Sequence, residues 1–179
     1  MTLTIRARQE VVRELTDMVK DYVMEDMIPY DRLDKFKLRL VIGHKGCWGG
    51  VKNGQPNMQL SVSDRYFDKA ATIKKLQGQT YLAESRQSVW RKAYNHALAN
   101  RWMHVEYASI ANDPEIGAFI SDNYEDHVTA TVCHEFAHVV DLFNYYHDAS
   151  GIARPKPHGS TWRARYRELR NEFSNEWIK

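Results

Sequence analysis

With 179 residues, 43% of them hydrophobic and 27% charged, the chain can bury a core as one domain and is too apolar and aromatic to be a disordered segment. Two cysteines, Cys47 and Cys133, exclude a disulfide framework and favour a reducing compartment. The first ten residues hold no apolar signal region and no apolar run is long enough for a bilayer, so the expected location is the cytoplasm of the producing or host cell.

Val11, Leu15, Met18, Val19 and Tyr22 recur at helical spacing and predict an amphipathic helix from about Thr4 to Met27, ended by Pro29. Phe36, Leu38, Leu40 and Ile42 then alternate with Lys37, Arg39 and Val41 as a strand. Gly43, Gly46, Gly49, Gly50 and Gly54 predict a loop, and Met58, Leu60 and Val62 a second strand. Residues 65–101 read as two helices broken near Gly78, a basic insert in the domain. His104 to Ile110 predicts a third strand, and Asn112-Asp113-Pro114 a turn. Asp122 and Glu125 form a capping-box-like start for a helix from about Asn123 to Asn144. A loop from Asp148 to Pro157 follows. Trp162, Tyr166, Leu169, Phe173 and Trp177 mark the last amphipathic helix. The expected architecture is one α+β domain over 1–179. Its motif-bearing helix packs with the N- and C-terminal helices against a small, mainly antiparallel sheet.

That motif is His134-Glu135-Phe136-Ala137-His138. Positions four apart share a helix face, so both imidazoles can meet one ion, while Glu135 lies one step round, beside it. Zinc on such a pair lowers the pKa of a water and polarises a carbonyl, and the carboxylate takes the proton. The pattern therefore predicts one Zn²⁺ per chain, with His134 and His138 as ligands and Glu135 as general base. Catalytic zinc needs a third protein ligand. His158, held between Pro157 and Gly159, leads. Glu168 and Glu172 on the last helix are carboxylate rivals, and His147 is a further one.

His134-Glu135-x-x-His138 followed by His158-Gly159-Ser160-Thr161-Trp162 resembles the SprT-like metalloproteases, which include the Spartan proteases of DNA–protein crosslinks. The Gly46-Cys47-Trp48-Gly49-Gly50 loop and Met58-Gln59-Leu60-Ser61 are similar to that family's glycine-containing loop and strand end. Tyr107 to Gly117 and the close of the chain look like SprT-like proteins encoded by phages. The resemblance implies a zinc metallopeptidase that hydrolyses peptide bonds, with His158 as third ligand and a protein or peptide as substrate. The chain lacks the Cys-rich zinc ribbon that many relatives carry, and about seventy residues separate the Leu60 strand from His134.

Charge is unevenly spread although the net value is +2. Eight basic residues fall between Arg65 and Arg101, against Asp68 and Glu84, whereas Trp102 to Ala153 holds nine acids and no Lys or Arg. Lys74, Lys75, Arg86, Trp90, Arg91 and Lys92 make single-stranded DNA a candidate partner, because cations interleaved with aromatics suit such a strand. A solvated helical pair with core aromatics is the plainer alternative. The second functional reading is accordingly a nucleic-acid-binding module with a mainly structural zinc site, and the third a zinc hydrolase of a non-peptide amide. His127 shares the metal face about two turns from His134 and is either a substrate contact or a partly exposed histidine. Asp141 is either an orienting partner for a ligand imidazole or a surface acid. Cys133 is expected to be a small buried residue, and nothing near Cys47 clearly lowers its pKa.

Overall fold

The computed structural model describes residues 3–72, 102–107, 110, 113, 115–148, 150–151 and 153–173, with the backbone alone at 103–105 and 119–120. Helix α1 (Ile5–Tyr22) begins at Thr4, whose hydroxyl accepts the Ala7 N–H at 3.2 Å, and runs into one π-helical turn, Val23–Met27. It buries Val12, Thr16 and Val19, a face rotated from the expected stripe, of which Val19 alone is buried while Val11, Leu15 and Tyr22 are half-buried and Met18 is exposed. A 3₁₀ turn (Tyr30–Lys35) leads to strand β1 (Arg39–Gly43).

The glycine-rich stretch contains a strand. Strand β2 (Trp48–Lys52) pairs antiparallel with β3 (Gln55–Ser61) through an Asn53-Gly54 turn whose φ values are +52° and +75°. Both central residues are left-handed, the condition for a type I′ hairpin, which Asn-Gly meets at little steric cost. Strand β1 pairs parallel with β3, so the three-stranded sheet is mixed in the order β1-β3-β2. An expectation of mainly antiparallel pairing is corrected here for this sheet. Alternating sequence predicts strands but says nothing of which distant strand each one joins. A separate antiparallel pair is formed by β4 (Trp102–Val105) and β5 (Ala118–Ser121). The third strand thus begins and ends earlier than the alternation suggests.

After β3 comes the one-turn helix α2 (Asp64–Phe67). Helix α3 (Tyr124–His147) carries the motif. Its cap is Asn123, one residue after the expected Asp122: Asn123 Oδ1 accepts the Asp126 N–H at 2.8 Å. Helix α4 (Ser160–Phe173) closes the described chain. Helix α3 lies at the centre, touching α1, α4 and the face of β2 and β3. Val132, Phe136 and Val140 on α3 join Met58, Leu60 and Leu169 in one buried cluster. The described residues therefore form one α+β domain, with the motif helix between a small mixed sheet and two flanking helices. Among them no helix is long and apolar enough to cross a membrane. Lys74, Lys75, Arg86, Trp90, Arg91 and Lys92, and with them most of the expected basic insert, lie outside the described residues.

Candidate metal centre

Three imidazoles converge. His158 Nε2 lies 3.1 Å from His138 Nε2 and 3.3 Å from His134 Nε2. Two Zn–N bonds of about 2.0–2.1 Å at a tetrahedral angle would place their nitrogens about 3.3–3.4 Å apart. The spacing fits one small cation shared by three nitrogens. Among the described residues no other group of three His, Cys, Asp or Glu side chains could hold a metal.

Local chain geometry aims each ring. His134 and His138 stand one helical turn apart on α3. His158 sits at φ +57° in a tight turn closed by Gly159 N–H on Lys156 O at 2.9 Å. With Pro157 before it, this has the pattern of a type II turn, in which the residue after proline must take positive φ. Glycine usually fills that place; histidine there costs on the order of 1–3 kcal/mol of strain. In this conformation the imidazole meets His134 and His138 of α3. Gly159 allows the turn to close, because a Cβ there would meet Lys156 O at 2.9 Å. Beneath the three rings lies Trp162, fully buried, its centroid 4.6–5.3 Å from each of them. Trp162 Nε1–H donates to His134 O at 3.3 Å and so locks α4 to α3.

The carboxylate and imidazole rivals are elsewhere. Glu168 faces Arg165 at 3.4 Å and Glu172 is exposed. His147 turns its Nε2 to Gly54 O at 3.0 Å. Asp141 accepts the Thr161 hydroxyl at 2.7 Å and so ties α3 to the start of α4. His127 is buried rather than partly exposed, set between the rings of Tyr66 and Trp102, each 5.9 Å away. Cys133 is buried and reaches Leu169 O, as expected of a small core residue. Cys47 touches the Tyr66 hydroxyl at 3.2 Å, and burial pushes its thiol pKa up rather than down.

An orienting partner that the sequence reading counted only among the acids is Glu106, just after β4. Its Oε2 lies 2.9 Å from His134 Nδ1, and its Oε1 accepts the Tyr166 hydroxyl at 2.6 Å. Tyr166 in turn accepts from Arg170 Nη1 at 3.2 Å. All four side chains are buried. The carboxylate fixes the proton on Nδ1 and leaves Nε2 bare toward the cluster, the tautomer a metal ligand needs. Burial alone would depress the His134 pKa, but the charge and hydrogen bond of Glu106 outweigh it and hold the pKa above the ordinary value. His138 is driven down to about 3, first by burial and then by the neighbouring His134 and His158. Burial also lowers His158. Two of the three rings thus keep neutral lone pairs that a cation would satisfy. Replacing Glu106 with Gln should weaken zinc binding by about 10–100-fold, read by competition with a chelator.

Glu135 stands beside the cluster, and burial pushes its carboxyl up to about 7, against the lowering pull of His134 and of the Gly49 N–H. That N–H comes from β2, which lies against α3. A Cβ on Gly49 would fall 2.2 Å from Glu135 O and 2.9 Å from its carbonyl carbon. Only glycine lets the strand approach closely enough to hold the carboxylate. At Gly50 a Cβ would meet Leu142 Cδ1 at 3.6 Å, an ordinary contact. Gly49→Ala should therefore destabilise the fold by about 1–3 kcal/mol, as overpacking does. Gly50→Ala should leave the melting temperature within a few degrees, and paired thermal melts would read the difference.

One further side chain overlooks the centre. Tyr107, exposed, lays its ring 4.8 Å from His158 and 5.7 Å from His134. No protein-family model, curated protein or solved structure matches this chain. Fit of the residues to an ion rests therefore on the convergence of three nitrogens, on the donor set, and on a carboxylate that sets the tautomer of one of them.

Proposed function

We propose that this protein is a zinc-dependent metallopeptidase of the SprT-like kind, acting on a protein or peptide substrate, with His134, His138 and His158 holding one zinc ion and Glu135 as general base. The observation that carries the reading is the pairing of three convergent imidazole nitrogens with a buried carboxyl held near neutrality beside them. Zinc, when bound, supplies Lewis acidity to a water and to the substrate carbonyl.

The chain's own residues do the rest. Glu135 accepts a proton as the water oxygen adds to the carbonyl carbon. It returns that proton to the amine nitrogen as the C–N bond breaks. A carboxyl near 7 suits both halves of this cycle, since it gains and loses the proton at little cost. Gly49 N–H holds the carboxylate in place throughout. Glu106 keeps the His134 ring in one orientation. The chelator test is direct: the zinc-loaded protein should cut an unfolded protein substrate. A chelator should abolish cutting and added zinc restore it. Single-stranded DNA, the candidate partner that the 65–101 segment suggests, is added in a parallel arm. If DNA alone is bound and nothing is cut, the binding-module reading replaces this one.

A further inference from the structure

Next to His138 the surface opens into a cleft of about 430 Å³. Small-ligand sites span roughly 300–1,000 Å³, so the cleft is large enough to receive a side chain. Its walls come from α3 and from the segment before His158. Leu142, Pro155 and Pro157 make it apolar, and Arg154 and Lys156 add two cations. The acid in the lining, Asp141, accepts the Thr161 hydroxyl and lies in the field of Arg165. Arg154 and Lys156 are exposed, and among the described residues neither is in an ion pair. They are also the first cations after a stretch, Trp102 to Ala153, that holds nine acids and no Lys or Arg. Two exposed cations therefore line the cleft, and its one acid is already bonded to Thr161.

We propose that this cleft is a specificity subsite for an acidic side chain, Glu or Asp, on a substrate residue close to the scissile bond. Its methylene stem lies on Leu142, Pro155 and Pro157, and its carboxylate reaches Arg154 and Lys156. The inference rests on the peptidase reading of the adjoining centre, because His138 is shared by the cleft and the metal cluster. Long basic side chains would place their charge against Arg154 and Lys156 and be disfavoured, which makes the selection one of sign as well as size.

Two arms test it separately. In the first, zinc-loaded Glu135→Gln protein is titrated with fluorescent peptide pools that differ only by Glu, Gln or Lys at the varied positions. Glu pools should bind about three- to tenfold more tightly than Gln pools, as expected for two exposed ion pairs, and Lys pools more weakly. Raising the salt should shrink the difference. The double variant Arg154→Glu/Lys156→Glu should reverse the order in favour of Lys, and Arg154→Gln/Lys156→Gln should abolish it. In the second arm, the wild-type protein cuts a mixed peptide library, and acids should be enriched at one position flanking the cut. No charge preference in either arm, or a preference unmoved by both double variants, overturns the subsite. A Glu preference in binding with no cutting by the wild type would keep the cleft as an acid-binding site and end the peptidase reading. Cutting without a charge preference would do the reverse.

Discussion

Replacing Glu135 with Gln should lower the hydrolysis rate by a factor on the order of 10²–10⁴ while zinc remains bound. Glutamine keeps the volume of the side chain and an oxygen that can accept the Gly49 N–H. It cannot take a proton from water, so the loss falls on the chemical step and not on assembly. A fall in kcat with little change in KM is the expected signature. The metal-free protein gives an independent check. Burial raises the folded carboxyl from its ordinary 4.5 to about 7, so between those values the folded state binds the proton that the unfolded state has released. Stability contributed by this group is therefore full below about pH 4.5 and is lost as pH rises through 7. Metal-free Glu135→Gln protein should be more stable than metal-free wild type at pH 8, and the two should converge toward pH 4.5. Thermal melts across that range would show it. A variant that loses zinc together with activity would instead make Glu135 structural.

His158→Ala should abolish zinc retention through a gel-filtration step, a larger loss than the roughly 10–100-fold expected from removing an outer partner such as Glu106. The ring supplies the nitrogen that lies within 3.3 Å of both others. Without it two ligands on one helix face remain, and a third protein ligand is what separates a catalytic zinc site from an adventitious one. Glu168→Ala and Glu172→Ala should bind zinc as the wild type does, since Glu168 faces Arg165 and Glu172 is exposed. Zinc loss in either carboxylate variant, with retention in His158→Ala, would move the third ligand to α4. His158→Gly adds a second reading: it relieves the positive φ, so the metal-free variant should melt no lower than metal-free wild type although it too loses zinc.

The pattern of success and failure in the sequence reading follows the range of the interactions. Helices α1, α3 and α4 were legible because a 3.6-residue period is local, as Val19, Val140 and Trp162 show, although α1 buries Val12 and Thr16 where the expected stripe had Val11, Leu15 and Met18. His134 and His138 were legible for the same reason. His158 was found through its neighbours, Pro157 and Gly159, whose conformational preferences define the turn. Strand β2 was missed because glycine is read as loop. Gly49 is there to bring the strand within contact of Glu135 O, and nothing local announces that. The parallel pairing of β1 with β3 depends on tertiary packing. Glu106 was missed because its partners are far along the chain: His134, 28 residues on, and Tyr166, 60 residues on. Its one sequence sign is an acid between Val105 and Tyr107 in a stretch of strand-like character. For Asp141 the spacing from His138 left an orienting partner and a surface acid open, and the structure gives it to the Thr161 hydroxyl.

The proposed hydrolysis requires a metal in the cluster, so metal content is its most direct test. Protein purified, incubated with zinc and desalted should carry about one zinc per chain, as a single three-ligand site demands, and His134→Ala and His138→Ala should carry none. Wild-type protein that emerges metal-free, or zinc that stays in equal amount when both histidines are removed, would contradict the account.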